Sequence, residues 1–299
     1  MPSDRLHRQH PIAPFVAVTL GIALFSVMDG LMKNASIAVG AYNAMLWRSL
    51  IGTALTFPLW KWRGGQWPDR GAMALHMLRG AVSGAMATTF FWGLVRVPMA
   101  EGIALSFIAP LIALYLAAVL LGEQVGKRAV LASLLGLAGV LVIAAGRLGE
   151  RSFTPDAAWG IGAILVSAVL YAFNLILQRK QAQIAGPIEV ALFQTVFVGL
   201  FLGLAAPWLG TLPGARALAD IAGGAGLAMV SLMLLSWGYG RAEAQALLPI
   251  EYTAFIWAAL MGWWMFAEPV TPATLAGVVL IVIACWIAAP RAHIEETAL

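Results

Sequence analysis

The sequence predicts an all-α integral membrane protein, with ten transmembrane helices arranged as two inverted five-helix repeats. Three observations carry that expectation. Of its 299 residues, 61% are hydrophobic and only 11% are charged, a balance typical of chains that live in lipid. Apolar runs of membrane-crossing length recur from one end to the other. The stretch Phe90 to Arg96 also returns, in altered form, at Leu235 to Arg241, a shift of 145 residues.

A helix rises about 1.5 Å per residue, so roughly 20 apolar residues cross about 30 Å of hydrocarbon. Ten runs approach that length: 12–32, 42–60, 72–94, 101–121, 129–146, 158–178, 188–208, 219–239, 244–266 and 273–289. They are too long for barrel strands and lack period-two polarity. Turn chemistry separates them at Gly64-Gly65, Pro155-Asp156, Gly186-Pro187, Pro213-Gly214 and Thr271-Pro272. Arg5, His7, Arg8 and His10 precede a full span rather than a short signal core, so no cleavable signal is expected. The lone Cys285 has no internal disulfide partner.

Loop charge orients the spans. With the N-terminus inside, the cytoplasmic segments hold Arg5, Arg8, Lys61, Arg63, Arg70, Lys127, Arg128, Arg179, Lys180, Arg241 and Arg291. The other side holds Lys33, Arg96, Arg147, Arg151 and Arg216. The bias puts both termini in the cytoplasm. The expected organisation is a cytoplasmic tail 1–11, a first repeat 12–146, a periplasmic linker 147–157, a second repeat 158–290 and a cytoplasmic tail 291–299. Basic residues scattered in short loops are no nucleic-acid signal.

Under the 145-residue shift, Trp92, Gly93 and Arg96 meet Trp237, Gly238 and Arg241, and Glu123 meets Glu268. Ala109, Ala113 and Ala117 meet Ala254, Ala258 and Gly262. Small residues every four places form a groove that admits a second helix closely, so spans four and nine are expected near a pseudo-two-fold axis. Gly80-x-x-x-Gly84 and Gly199-x-x-x-Gly203 read as ordinary packing grooves. A five-span unit is odd, so its second copy must be inverted. Inverted repeats are the usual architecture of alternating-access carriers with a mid-bilayer site.

These residues carry a family resemblance. The in-span Arg48 of LWRSL, the run APLIALYLAAVLLGEQV from Ala109 to Val125, and the second-copy ending MFAEPVT at Thr271 resemble the EamA domains of the drug/metabolite transporter superfamily. The resemblance covers nearly all of the chain. It implies two inverted five-helix bundles in a bacterial inner membrane and export of small organic solutes. The chain looks similar to exporters of aromatic and other neutral amino acids. One departure concerns the prolines: Pro110 of span four aligns with Phe255, and span nine carries its proline earlier, at Pro249.

Pro110 and Pro249 free the carbonyls of Ser106 and Gln245, which suits a kink or hinge beside a wet path; a static kink is the alternative. Glu123 and Glu268 read as structural fasteners of the hairpins that follow spans four and nine. Charges within spans are expensive and therefore informative. Arg79 and Glu251 lie at similar depth and either pair or hold the two ends of a zwitterion. His76 and Ser83 share the Arg79 face. Asp29 and Arg48 are expected to pair structurally. Protonation of Glu251 is one route to proton coupling.

Trp60, Trp62, Trp67, Trp159 and Trp208 fall at span ends as interfacial anchors. Trp92 and Trp237 are open to belt or ligand roles. Trp257 lies too deep for a belt. Phe107, Tyr171, Asn174, Tyr252 and Thr88 complete the candidate lining of a substrate cavity. No phosphate-binding loop occurs, and the histidines lack ligand spacing, so neither ATP drive nor a metal or other cofactor is expected. The main reading is a monomeric secondary transporter that exports small amphipathic metabolites, with aromatic or other neutral amino acids foremost. It works by facilitated diffusion or proton exchange. The alternatives are a membrane-embedded enzyme, a channel, or a metabolite or drug carrier with another class of substrate.

Overall fold

The computed structural model describes residues 12–121, 127–148, 154–239, 250 and 253–288, and among these the ordered elements are all helices. In chain order they are α1 (Ala13–Trp62), α2 (Arg70–Leu94), α3 (Met99–Ser106), α4 (Ala109–Leu121), α5 (Lys127–Leu148), α6 (Pro155–Ala182), α7 (Pro187–Gly203), α8 (Ala206–Leu209), α9 (Ala215–Tyr239), α10 (Ala254–Phe266) and α11 (Pro272–Ala288).

Among the described residues, three helices are long and apolar enough to cross a membrane: Ala13–Trp62, Pro155–Gln178 and Ala215–Leu235. The first of these holds two of the expected runs. The two runs form two helical arms that meet at Gly40, which stands at φ 79°, ψ 149° and reverses the chain. Contacts on each arm establish the reversal. Val18 packs near Gly238 and Met32 near Gly224, whereas Tyr42 reaches Leu202 and Trp60 meets Phe193. Only glycine adopts that backbone region without strain.

Span four is interrupted. The expected kink at Pro110 is a break two residues earlier, at Phe107 and Ile108, between α3 and α4. Pro110 occupies the first turn of α4, where its missing N–H costs little. Across the break, Phe107 donates to Ala104 O at 3.2 Å and Ile108 to Leu105 O at 3.3 Å. Side chains cap three helix starts. Asp69 accepts from Ala72 N–H at 2.8 Å, Thr154 from Ala157 N–H at 3.3 Å and Thr271 from Thr274 N–H at 3.1 Å.

The helices pair across the two halves of the chain. The first arm of α1 packs on α9 and α2 packs on α6; α10 packs on α1 and on α3; α5 packs on α11 and the second arm of α1 on α7. Glycines set the close crossings. A side chain at Gly93 would strike Gly160 and Ile164, and one at Gly238 would strike Pro14 and Val18. These are equivalent crossings, one from each half. Between α5 and α11, Gly139 lies against Gly277 and Ile281, and Gly277 lies against Gly139 and Ile143. Gly80 and Gly84 receive Phe197 and Phe201 of α7, while Gly203 has nothing within 4 Å.

Trp60 departs from its expected role as an interfacial anchor. It is 3% exposed and packs edge-on to Trp67 and Phe193. The turn at Gly64 folds the chain back over its ring, and Gly65 lies directly against it. Trp62, Trp67, Trp159 and Trp208 are exposed.

Candidate functional site

A cavity of about 490 Å³ opens between the two halves of the chain. The second arm of α1 and α2 supply Met45, Arg48, Ser49, Thr56, Ser83 and Met86; α7 and α9 supply Gln194, Thr195, Met229, Met233 and Trp237. It runs from the middle of these helices towards Leu59, Pro187 and Trp237. That is the end of the molecule that also carries Ala13 and Trp62, called here the N-terminal face. Most of the wall is apolar, with polar groups at a few points.

Arg48 is the charged group on this wall. The structure gives it one hydrogen bond, from Nη1 to the Met28 sulfur at 3.6 Å. The expected ion pair with Asp29 is not made: among the described residues no carboxylate oxygen lies within 4.0 Å of the guanidinium. Asp29 acts on it only from a greater distance. The two residues sit on opposite arms of α1, and the Met28 sulfur is the group that Arg48 reaches. A guanidinium has five N–H donors, so Arg48 keeps most of its capacity for a guest.

Beside the cavity, α2, α6 and α7 share a buried chain of hydrogen bonds. Ser83 Oγ donates to Asn174 Oδ1 at 3.0 Å, and Arg79 Nε donates to the same oxygen at 3.2 Å. Arg79 Nη1 also donates to Gln181 Oε1. The Gln181 amide nitrogen meets His76 Nδ1, and His76 Nε2 faces Glu189 Oε1 at 3.2 Å. Phe193 stacks on the imidazole with centroids 5.0 Å apart. His76, Arg79 and Ser83 share one face of α2, and Asn174 of α6 joins them there. Gln181 and Glu189 were not foreseen. α6 runs past the end of its apolar run at 178 to Ala182, which carries Gln181 inward; Glu189 sits in the first turn of α7.

Other candidates fall elsewhere. Trp92 lies 3.5 Å beneath the Arg96 guanidinium, which also binds Asp156 at 3.0 Å; it does not line the cavity. Phe107 is half-buried against the core at the α3–α4 break. Thr88 Oγ1 and Trp257 Nε1 are buried without a hydrogen-bond partner, and Trp257 packs by Val18 and Ile22. Tyr171 acts electrostatically on Arg79. Glu123, Pro249, Glu251 and Tyr252 lie outside the described residues.

Glu268 does not fasten its own hairpin. Its Oε2 accepts from Met99 N–H, at the start of α3, at 2.7 Å, and its Oε1 pairs with Lys33. Lys33 Nζ also donates to Val97 O at 2.9 Å. This clasp lies at the Gly40 face, opposite the cavity mouth. Further bonds tie the halves there. Asn34 donates to Asp220 at 2.6 Å, Trp47 to Thr211 O at 3.0 Å, and Tyr42 to Leu202 O. Glu101, buried in α3, accepts from Thr274 of α11 at 3.3 Å. Neither Lys33 nor Glu101 was singled out by sequence, because each lies at a span edge where charge is unremarkable.

Comparison with known proteins agrees with this arrangement. The EamA-like transporter family matches twice, over residues 13–145 and 158–289. A pseudopaline exporter of Pseudomonas aeruginosa, CntI, is 26% identical over 264 residues, covering 87% of this chain and 90% of that one. An S-adenosylmethionine uptake transporter of Rickettsia bellii is 22% identical over 266 residues, covering 88% of each. A solved chain superposes with a TM-score of 0.62 at 23% identity, covering 95% of this chain and 99% of the other, and shows a shared fold. The two matched halves, the paired crossings and the apolar helices make this an integral membrane protein built for carrying small molecules: the chain belongs to the EamA-like transporter family.

Proposed function

We propose that the protein is a secondary transporter that moves small amphipathic solutes bearing a carboxylate out across the bacterial inner membrane, with aromatic and other neutral amino acids as its leading cargo. The cavity carries this reading. It is walled by both repeats, it falls in the volume range of about 300–1,000 Å³ common to small-molecule sites, and it offers one guanidinium with free donors. Arg48 takes the carboxylate. Trp237 and the methionines flank the apolar part, and thioethers adapt to varied shapes. S-adenosylmethionine, the cargo named for the Rickettsia relative, itself has an amino-acid head.

The basic loops support a cytoplasmic N-terminal face with both termini on that side. The cavity would then load from the cytoplasm while the Lys33–Glu268 clasp seals the far side. Export matches the Pseudomonas relative; uptake, the reading favoured by the Rickettsia relatives, uses the same site in reverse. The test is flux in liposomes reconstituted with purified protein, using labelled phenylalanine, leucine, lysine and S-adenosylmethionine with and without a pH gradient. Saturable counterflow of a carboxylate-bearing cargo is expected. Unsaturable flux would mean a channel, and no counterflow of any carboxylate-bearing solute would remove the cargo assignment.

A further inference from the structure

The chain from Glu189 to Ser83 has a fixed polarity. Arg79 is a donor only, so Gln181 must turn its oxygen towards it, as it does. The amide nitrogen of Gln181 is then the group left to face His76 Nδ1. It donates, so Nδ1 carries no proton. The single ring proton sits on Nε2, aimed at Glu189 Oε1 at 3.2 Å. In this tautomer every partner is matched.

A second proton on the ring does not fit. Protonated Nδ1 would confront the Gln181 amide protons. Flipping that amide would instead set the same protons against Arg79. Gln181 meets its two neighbours with opposite sides of one amide, and cannot accept from both. The charged groups among the described residues that face this ring are Glu189 from α7 and Arg79 from α2. Tyr171 on α6 acts on Arg79, and Phe193 covers the ring face. Glu189 would hold the Nε2 side of an imidazolium equally well, so the conflict is confined to Nδ1. The Glu189 side chain is 24% exposed and gives the proton a way in.

We propose that His76 is a proton-binding coupling site: its protonation parts α2 from α6 at Gln181 and, through Arg79 and Asn174, releases Ser83 on the cavity wall. Loading the cavity and holding the proton are thereby linked through one hydrogen-bonded chain. The proposal rests on the transport reading, but its test needs no cargo, so its failure would leave the liposome result standing.

The test uses the full chain in lipid nanodiscs with Cys285→Ala, and spin labels at Met77→Cys on α2 and Gln178→Cys on α6, both exposed positions. Pulsed dipolar spectroscopy reads the distance at pH 8 and pH 5. The parent should gain a second, longer population at pH 5. His76→Asn keeps an acceptor for Gln181 but does not titrate, and should hold the short distance at both pH values. Gln181→Glu offers an oxygen to Arg79 and to a protonated His76 alike, and should also stay short at pH 5. An unchanged parent distribution would overturn the proposal without reference to any variant. So would a pH response surviving in His76→Asn.

Discussion

At the scale of single residues, Arg48 and Gly40 show how differently one side chain and one missing side chain can matter. Arg48 faces a cavity with one weak contact to sulfur. A hydrogen bond to a charged partner contributes about 1.5–3 kcal/mol, which is roughly 10- to 150-fold in affinity. Arg48→Gln should therefore raise the half-saturating cargo concentration by about that factor in liposome flux, with Arg48→Lys between the two because lysine lacks the planar fork. Melting temperature should hardly change, since no ion pair is lost. Gly40 is the converse case. A Cβ there meets nothing within 4 Å, so the penalty of Gly40→Ala is all backbone, about 1–3 kcal/mol. It should appear as a lower unfolding midpoint in detergent. The sequence made Arg48 visible, because a charge inside a span stands out. Its role was hidden, because spacing along α1 says nothing of which neighbour stands between it and Asp29.

At the scale of helices, apolar periodicity revealed where the chain is buried but not where a helix pauses. Runs 12–32 and 42–60 were legible as two helical arms; the tightness of their junction was not, because it depends on a single φ at Gly40. Pro110 signalled a disturbance in span four, yet the break falls at Phe107 and Ile108, just past Ser106, whose carbonyl loses its helical donor to the proline. Gly93 and Gly238 were visible as an echo, and their crossings explain the echo: each admits a partner helix that a methyl would push away. The nearest obstacles to a Cβ are Gly160 O at 2.6 Å for Gly93 and Val18 Cγ2 at 2.5 Å for Gly238. Overpacking costs about 1–3 kcal/mol. Gly93→Ala should lower the unfolding midpoint more than Gly238→Ala, because a carbonyl of the main chain yields less than a side-chain methyl. Gly162→Ala, facing open space, should leave it equal or slightly higher through better helix propensity.

At the scale of the whole molecule, the cavity and the clasp lie at opposite ends, and the repeat relates those ends. The internal register carries Glu268 to Glu123 and, one residue further on, Lys33 to Arg179. Glu268 and Lys33 close the Gly40 face in this state. A carrier that alternates between mirror-related forms needs each face held shut in turn, by groups of equal chemistry in inverted places. Weakening one set should bias the population one way and weakening the other should bias it back. The reporter is a single cysteine at Leu55, on the cavity wall, in a Cys285→Ala background, labelled by an impermeant maleimide from the N-terminal face. Lys33→Ala or Glu268→Gln releases the Gly40 face, so the cavity spends less time open to the reagent and labelling should slow. Glu123→Gln should leave the rate unchanged or raise it. Equal slowing by Glu123→Gln and Glu268→Gln would mean that the two glutamates do the same job in one state, and the alternation of mirror forms would have to be given up.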